Sequence, residues 1–220
     1  MSPLRKILCL LVIFSCIVVQ ECKGPIAKGY GGDGPPTQCK KVDCPTFNVI
    51  HSEKEFEIRE YNQSLWVTAP SLIQYSIMGG LAKAGEILFD YYARGNDQGV
   101  MIFDHYDPGP VLLLDVSNST ALNSTYTMYY YVPEKYQNGG LPKPLESEIK
   151  QVKLPKYKYA AVRRVSSEII EDIILGQVDA LRKQLKNTEY KRAVDRGQYT
   201  YVMYGELNFN QGYEILIWFD

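Results

Sequence analysis

Histidine, the commonest metal ligand in proteins, is scarce in this sequence. Among its 220 residues are two histidines, His51 and His105, with five cysteines, five methionines and 18 tyrosines. His, Met, Cys and Tyr are the side chains of this set that can ligate iron. His105 falls between a predicted helix and a predicted strand, where ligand-facing groups are common. It is therefore preferred over His51 as a metal ligand, although a lone histidine in a loop is more often solvated.

The cysteines indicate an oxidised compartment. Cys9 and Cys16 lie in the first apolar run, so Cys39 and Cys44 are the main pair of the remaining chain, with Cys22 as a possible third. In an oxidising lumen, Cys39 and Cys44 would close a small disulfide loop. The alternatives are two free thiols or a metal site, but a metal site would need further His or Cys side chains nearby, and only His51 is close.

Tyrosine is unusually abundant, at 18 residues against seven phenylalanines and two tryptophans. A tyrosine ring adds apolar area and a hydroxyl group that needs a hydrogen-bond partner. Most of these rings are expected at half-buried strand positions. Two further interpretations are an aromatic groove that stacks a flat ligand and tyrosine cross-linking in an extracellular matrix.

No enzyme is predicted. The sequence has no Gly-x-Ser-x-Gly elbow, no His-Glu-x-x-His motif and no phosphate-binding loop. Glu57 and Glu60 are expected to share one face of a strand as paired carboxylates, but such pairs are usually solvated charge. A net charge of −1 provides no strong field for nucleic acid.

The N-terminus predicts secretion. Arg5 and Lys6 precede an apolar run at 7–19, which is shorter than the roughly 20 residues that span a bilayer. Residues 1–24 are therefore predicted to be a signal peptide, with an uncleaved membrane anchor as the alternative. No later stretch is apolar enough to insert, so the mature chain is expected to be extracellular. In that setting Asn62, Asn118 and Asn123, each in an Asn-x-Ser/Thr tripeptide, become candidate glycosylation sites.

Hydrophobic periodicity outlines the elements that must position these residues. Residues 25–43 are rich in Gly and Pro and predict a flexible segment before a domain at 44–220. Apolar stripes predict helices at 72–92, capped by Ser71, and at 167–186, capped by Ser167. A hairpin is predicted from 56–61 and 64–68, with Asn62 in its turn. Further strands are predicted at 111–116, 126–132, 157–165, 199–204 and 213–219.

Four stretches in this order resemble the SOUL/heme-binding protein family. They are FEIREY at 56–61, YYYVP at 129–133, KYKYAAVR at 156–163 and GYEILIWF at 212–219. The resemblance runs from about residue 44 to the end of the chain. It implies an α+β fold, a distorted antiparallel sheet or barrel flanked by two helices, with two halves related by a pseudo-twofold axis.

The resemblance also implies a ligand, a non-covalently bound heme or another flat, hydrophobic tetrapyrrole. Glu60 stands where part of the family carries a heme-linked histidine, and the stretch around His105 departs from the family pattern. Basic candidates for pairing with the ligand's propionates are Arg59, Arg163 and Arg164. The alternative function is an extracellular structural or matrix protein that keeps the fold without a cofactor.

Overall fold

A computed structural model describes residues 39, 42–103, 109–120, 123–165, 170–195, 197–205 and 213–220. The predicted signal peptide, most of the segment 25–43 and the candidate ligand His105 lie outside the described residues. Ten strands and two helices are found in the part of the chain that is described. They are β1 (Phe47–Ser52), β2 (Glu57–Tyr61), β3 (Ser64–Thr68), β4 (Leu72–Gln74), α1 (Ile77–Ala93), β5 (Val111–Thr120), β6 (Asn123–Tyr131), β7 (Lys150–Leu154), β8 (Tyr159–Val165), α2 (Glu171–Leu185), β9 (Tyr199–Tyr204) and β10 (Tyr213–Phe219).

All ten strands form one antiparallel sheet. Its order is β1-β2-β8-β10-β9-β5-β6-β3-β7, and β4 pairs with β6. β2 and β3 are near opposite ends of this order, yet only Asn62 and Gln63 connect them. Because so short a link spans only about 10 Å, the sheet must curl until its two ends approach each other. The result is a half-barrel flanked by two helices, which confirms the predicted α+β class.

The predicted hairpin between 56–61 and 64–68 is wrong, although both strands exist. β2 pairs with β1 and β8, whereas β3 pairs with β6 and β7. The two strands lie on either side of the opening of the half-barrel instead of beside each other. Each has one partner in the other half of the chain, β8 for β2 and β7 for β3, so local periodicity could not reveal the pairing.

The topology contains the predicted duplication. Apart from β1 and the short β4, which have no counterparts, one half runs β2-β3-α1-β5-β6 and the other β7-β8-α2-β9-β10. In the sheet, the order β3-β6-β5 of the first half mirrors β8-β10-β9 of the second, and β5 meets β9 at the centre. The first strand of each half is exchanged, since β2 pairs with β8 and β7 pairs with β3. This exchange ties the two halves into one sheet.

Helix α1 begins later than predicted. Ser76, not Ser71, caps it, because its Oγ accepts the Gly79 N–H at 3.0 Å. Leu72 and its two successors form β4 against β6, so sheet pairing overrides the helical pattern there. The predicted stripe is otherwise buried, including Leu81 and Leu88. Gly80 allows a close approach, since a Cβ atom there would lie 2.7 Å from Cγ of Tyr126.

Helix α2 begins at Glu171, and the predicted cap Ser167 lies outside the described residues. Glu171 and Asp172 occupy its first turn, where acidic side chains stabilise the helix by interacting with the positive end of its dipole. Four members of its predicted stripe are buried, namely Ile174, Val178, Leu181 and Leu185. Ile170, the first predicted member, precedes the helix and is exposed.

The sheet has two buried faces. The outer face carries the helices, with Ile58, Leu114 and Tyr201 in one core with residues of α1 and α2. The inner face forms a second core from strands that are distant in the sheet order, including Tyr61, Trp66, Leu113, Val202 and Leu216. Residues so far apart along the sheet meet only inside its curl.

The segment before β1 packs against the inner core. Cys39 and Cys44 form the predicted disulfide, with Cα atoms 5.6 Å apart. Val42 between them is buried, and the Asp43 carboxylate accepts the Glu134 N–H at 2.8 Å. The last residues of the predicted flexible segment 25–43 are therefore attached to the domain.

Candidate functional site

Two adjoining cavities open along the inner face of the half-barrel. One, of about 390 Å³, lies between β3, β6 and β7. The other, of about 350 Å³, lies among β5, β6, β9, β10 and residues 155–157. Both volumes fall within the range of small-molecule sites. The cavities share walls, so we treat them as one inner groove, whose walls include Asp115, Thr127, Tyr129, Leu154, Lys156 and Trp218.

A hydrogen-bonded chain forms one wall of the inner groove. Trp218 Nε1 donates to Thr200 Oγ1 at 2.8 Å. Because this oxygen already accepts from an indole, which can only donate, the Thr200 hydroxyl donates its own proton to Asp115 Oδ1. The Tyr129 hydroxyl group lies near the Asp115 carboxyl group and affects its pKa. Residues from strands that are remote in sequence thus surround one carboxyl group at the groove.

The sheet register explains this convergence. Asp115 of β5 lies opposite Thr200 of β9 and opposite Thr127 of β6. Tyr129 is two residues from Thr127 and therefore a diagonal neighbour of Asp115 on the same face. The geometry of the sheet alone places these polar groups side by side.

The environment of Asp115 disfavours its charge. Burial raises the pKa of the Asp115 carboxyl group above its ordinary value, although Thr200, Lys156 and Tyr129 partly offset the shift. Burial and the neighbouring Asp115 also raise the pKa of Tyr129. A carboxyl group with a raised pKa in a cleft is a typical sign of a functional site. It can accept hydrogen bonds when ionised and donate one when neutral.

Two lysines and several aromatic rings complete the groove. Lys150 and Lys156 line its walls, and both are exposed at its rim. Trp218 and Tyr129 supply flat aromatic surface beside them, with Leu154 between the two cavities. The combination suits a flat apolar ligand that carries carboxylate groups, because the rings bury its face and the lysines attract its charges.

The candidate residue Arg59 lies elsewhere on the inner face, in a buried ion-pair network. Its guanidinium group donates to both carboxylate oxygens of Glu214, each at 2.8 Å, and to Glu57 Oε2 at 2.8 Å. It also donates to the Tyr61 hydroxyl at 3.1 Å. The candidate Arg164 joins the network, with Nε 3.0 Å from Glu214 Oε1. Two arginines and two glutamates balance their charges within this network.

The third candidate arginine, Arg163, points to the opposite face. It donates to Gln177 Oε1 at 2.6 Å, to Gln184, and to the carbonyl oxygen of Glu55. The structure therefore does not bring the three arginines together, and none of them lines the inner groove. Their role as propionate partners stays a prediction, in which each would exchange a present partner for the ligand.

The remaining sequence candidates are dispersed. Glu60, at the position of the family histidine, pairs with Lys158 at 2.7 Å. Glu57 and Glu60 do not share a face, because residues three apart on a strand point in opposite directions. His51 Nε2 lies 3.2 Å from Glu53 Oε1 on strand β1, outside the inner groove.

Metal and membrane features are limited in the described ranges. Within them, no cluster of three or more His, Cys, Asp or Glu side chains could hold a metal ion. None of the described helices combines the length and apolar character needed to cross a membrane.

The three glycosylation candidates differ in what the structure describes. Asn62 is exposed in the link between β2 and β3, where its Nδ2 donates to Thr46 Oγ1 at 3.4 Å. Asn118 and Asn123 belong to β5 and β6, but their side chains lie outside the described part.

Sequence reasoning missed the groove residues. Asp115 had a signal, since it is the one charge in the apolar run at 111–116. A charge inside a predicted buried strand is costly unless it is paired or functional. Thr200, Lys156 and Trp218 carried no comparable signal, because only the curl of the sheet brings them to Asp115.

A comparison with protein-family models identifies the family of this chain. The family model described as "SOUL heme-binding protein" matches residues 42–218. No curated protein matches the chain. Among solved structures, the crystal structure of a hydrolase from Listeria innocua aligns with a TM-score of 0.43 and 9% sequence identity, over 74% of this chain and 90% of that chain. The family match spans most of the sequence, and the chain therefore belongs to the SOUL heme-binding protein family.

Proposed function

We propose that this chain is a binding protein, not an enzyme, that takes heme or a related tetrapyrrole non-covalently in the inner groove. The observation that carries the proposal is the groove, which combines aromatic and apolar walls with two rim lysines in a member of a heme-binding family. Its residues suit the organic part of a tetrapyrrole. Tyr129 and Trp218 would contact the flat ring, while Lys150 and Lys156 would pair with propionates.

Apolar contact should dominate the affinity. Burying ring surface contributes about 25 cal/mol per Å², from which the costs of association are subtracted. Tyr129 is poorly suited to bind iron as a phenolate, because burial and Asp115 raise its pKa. Bound heme would supply a redox-active iron and a visible chromophore, and the chain's own residues would position the macrocycle.

Titration of the purified protein with hemin, followed by the Soret band, tests this proposal. We expect saturable binding that Lys156→Glu weakens by about tenfold, since the substitution places a negative charge beside a propionate. Lys83→Glu is the matched control, because Lys83 is exposed on α1, away from the groove. Absence of saturable binding by the unmutated protein would refute the proposal, and equal effects of the two variants would refute the site.

His105 provides a second test of how the ligand is held. If apolar contact dominates, His105→Ala should shift the Soret band modestly and leave the affinity within about tenfold. Abolished binding would instead show that His105 is an essential axial ligand.

The burial of the tyrosines supports a binding protein over the matrix alternative. Cross-linking needs accessible rings, and Tyr75 at 83% exposure meets this requirement. Many of the other described tyrosines belong to the buried cores, namely Tyr61, Tyr91, Tyr92, Tyr126, Tyr130, Tyr131, Tyr199, Tyr201, Tyr204 and Tyr213. Their abundance therefore has an explanation in the packing of the fold.

We also propose that the protein is secreted. Three observations support this: the short apolar run at 7–19, the Cys39–Cys44 disulfide and an exposed Asn62 within a glycosylation tripeptide.

A further inference from the structure

The Asp115 carboxyl group can accept further hydrogen bonds from a ligand. It lines the inner groove and accepts a hydrogen bond from Thr200, with Tyr129 close by. A carboxylate offers about four lone-pair positions, so the Thr200 donor leaves room for more. A buried carboxyl group that faces a cavity gains most from a ligand that brings N–H or O–H donors.

Tetrapyrroles differ in whether they have free N–H groups that can donate to a carboxyl group. In heme the four ring nitrogens bind the iron and present no N–H group. A metal-free linear tetrapyrrole is open, so its pyrrole and lactam N–H groups are exposed along one edge. Of heme and a metal-free linear tetrapyrrole, therefore, the linear ligand is the one that offers donors to match a carboxyl group in the groove wall.

Lys156 adds a second point of recognition. It lines the same cavity as Asp115, and its charge acts on the Asp115 carboxyl group. A ligand with N–H donors on its inner edge and a propionate on its outer edge would satisfy both residues at once. Trp218 and Tyr129 would cover its rings from the side.

From this arrangement, and resting on the function proposed above, we propose that the inner groove selects a metal-free linear tetrapyrrole, whose N–H groups bind Asp115 and whose propionate binds Lys156. Asp115 is thus a specificity-determining residue. Heme binding should depend on it much less, because heme lacks the complementary donors.

The test compares two ligands in the same variants. Dissociation constants are measured for biliverdin and for hemin with the unmutated protein, with Asp115→Asn and with Glu86→Gln, an exposed control on α1. Asp115→Asn should weaken biliverdin binding by about tenfold or more, the effect of one hydrogen bond to a charged group. Hemin affinity should change by less than about threefold, and Glu86→Gln should change neither.

A spectroscopic readout accompanies the affinities. A carboxyl group beside the pyrrole nitrogens should shift the long-wavelength absorption band of bound biliverdin, and Asp115→Asn should reverse the shift. If Asp115→Asn fails to fold, Thr200→Val replaces it, because that variant removes the donor that orients Asp115 while nearly keeping side-chain volume.

The outcomes separate the two proposals. If hemin and biliverdin both bind and Asp115→Asn weakens them equally or not at all, the selectivity is refuted and the proposed function stands. If neither ligand binds the unmutated protein, the proposed function fails and this inference fails with it.

Discussion

Arg59 and Glu214 form a bidentate ion pair with two contacts of 2.8 Å, although 155 residues separate them in the sequence. Arg59 lies on β2 and Glu214 on β10, and β8 runs between these strands. Both side chains are buried on the inner face. The pair therefore connects the N-terminal and C-terminal parts of the sheet within a single network.

Breaking this pair should be strongly destabilising. Glu214→Gln leaves Arg59 and Arg164 with less negative charge in a buried site, and removal of one partner from such a pair typically costs about 3–5 kcal/mol. The free energy of unfolding, measured by urea denaturation, checks this. Glu60→Gln is the matched control, because Glu60 lies on β2 beside Arg59 but pairs with the largely exposed Lys158. Glu60→Gln should lower the free energy of unfolding by less than about 1 kcal/mol. Equal losses in the two variants would contradict the prediction.

The same carboxylate predicts a pH dependence. Burial raises the pKa of Glu214, but Arg59, Tyr204 and Arg164 outweigh this effect, so its pKa lies below the ordinary 4.5. A group with a lowered folded pKa stabilises fully above its unfolded pKa and loses that contribution as pH falls through the folded pKa. The stability difference between the unmutated protein and Glu214→Gln should therefore be constant near neutrality and shrink below about pH 4.5. A difference that stays unchanged in acid would exclude this assignment.

Alanine substitutions at two helical glycines should change the stability of the protein in opposite directions. Gly80→Ala in α1 would place a Cβ atom 2.7 Å from Cγ of the buried Tyr126. We expect a loss of about 1–3 kcal/mol from this overpacking. Gly176→Ala in α2 meets nothing within 4 Å and should gain about 0.5–1 kcal/mol, because alanine favours helix. Thermal unfolding of both variants measures the change in stability. A change of the same sign in both would contradict the prediction.

Secretion and glycosylation can be tested together. Expressed in a eukaryotic host with its own N-terminus, the protein should appear in the medium and lose mass on treatment with an N-glycan amidase. Asn62→Gln should remove part of that shift, because Asn62 is exposed between β2 and β3. Asn48→Gln, an exposed position outside any glycosylation tripeptide, should leave it unchanged. Secreted protein without any amidase-sensitive mass would count against this prediction.

Local sequence was sufficient for elements whose pattern and packing agree. β9 and β10 were predicted at their observed bounds, since both are short apolar runs buried on two faces. The helical stripes were predicted because each helix buries one apolar face. β7 was missed because it is an exposed strand whose lysines and glutamine hide its alternation. The disulfide followed from having one close cysteine pair.

Tertiary structure alone decided the pairing and the site. The turn after Tyr61 is compatible both with a hairpin and with two strands that part, and only the curl of the whole sheet selects the second. Ile73 belongs to the predicted helical stripe, but pairing with β6 makes it a strand residue. Asp115 meets Thr200 because β5 and β9 are neighbours, at a separation of 85 residues. Residue types and periodicity are local properties, whereas a groove exists only where distant strands meet.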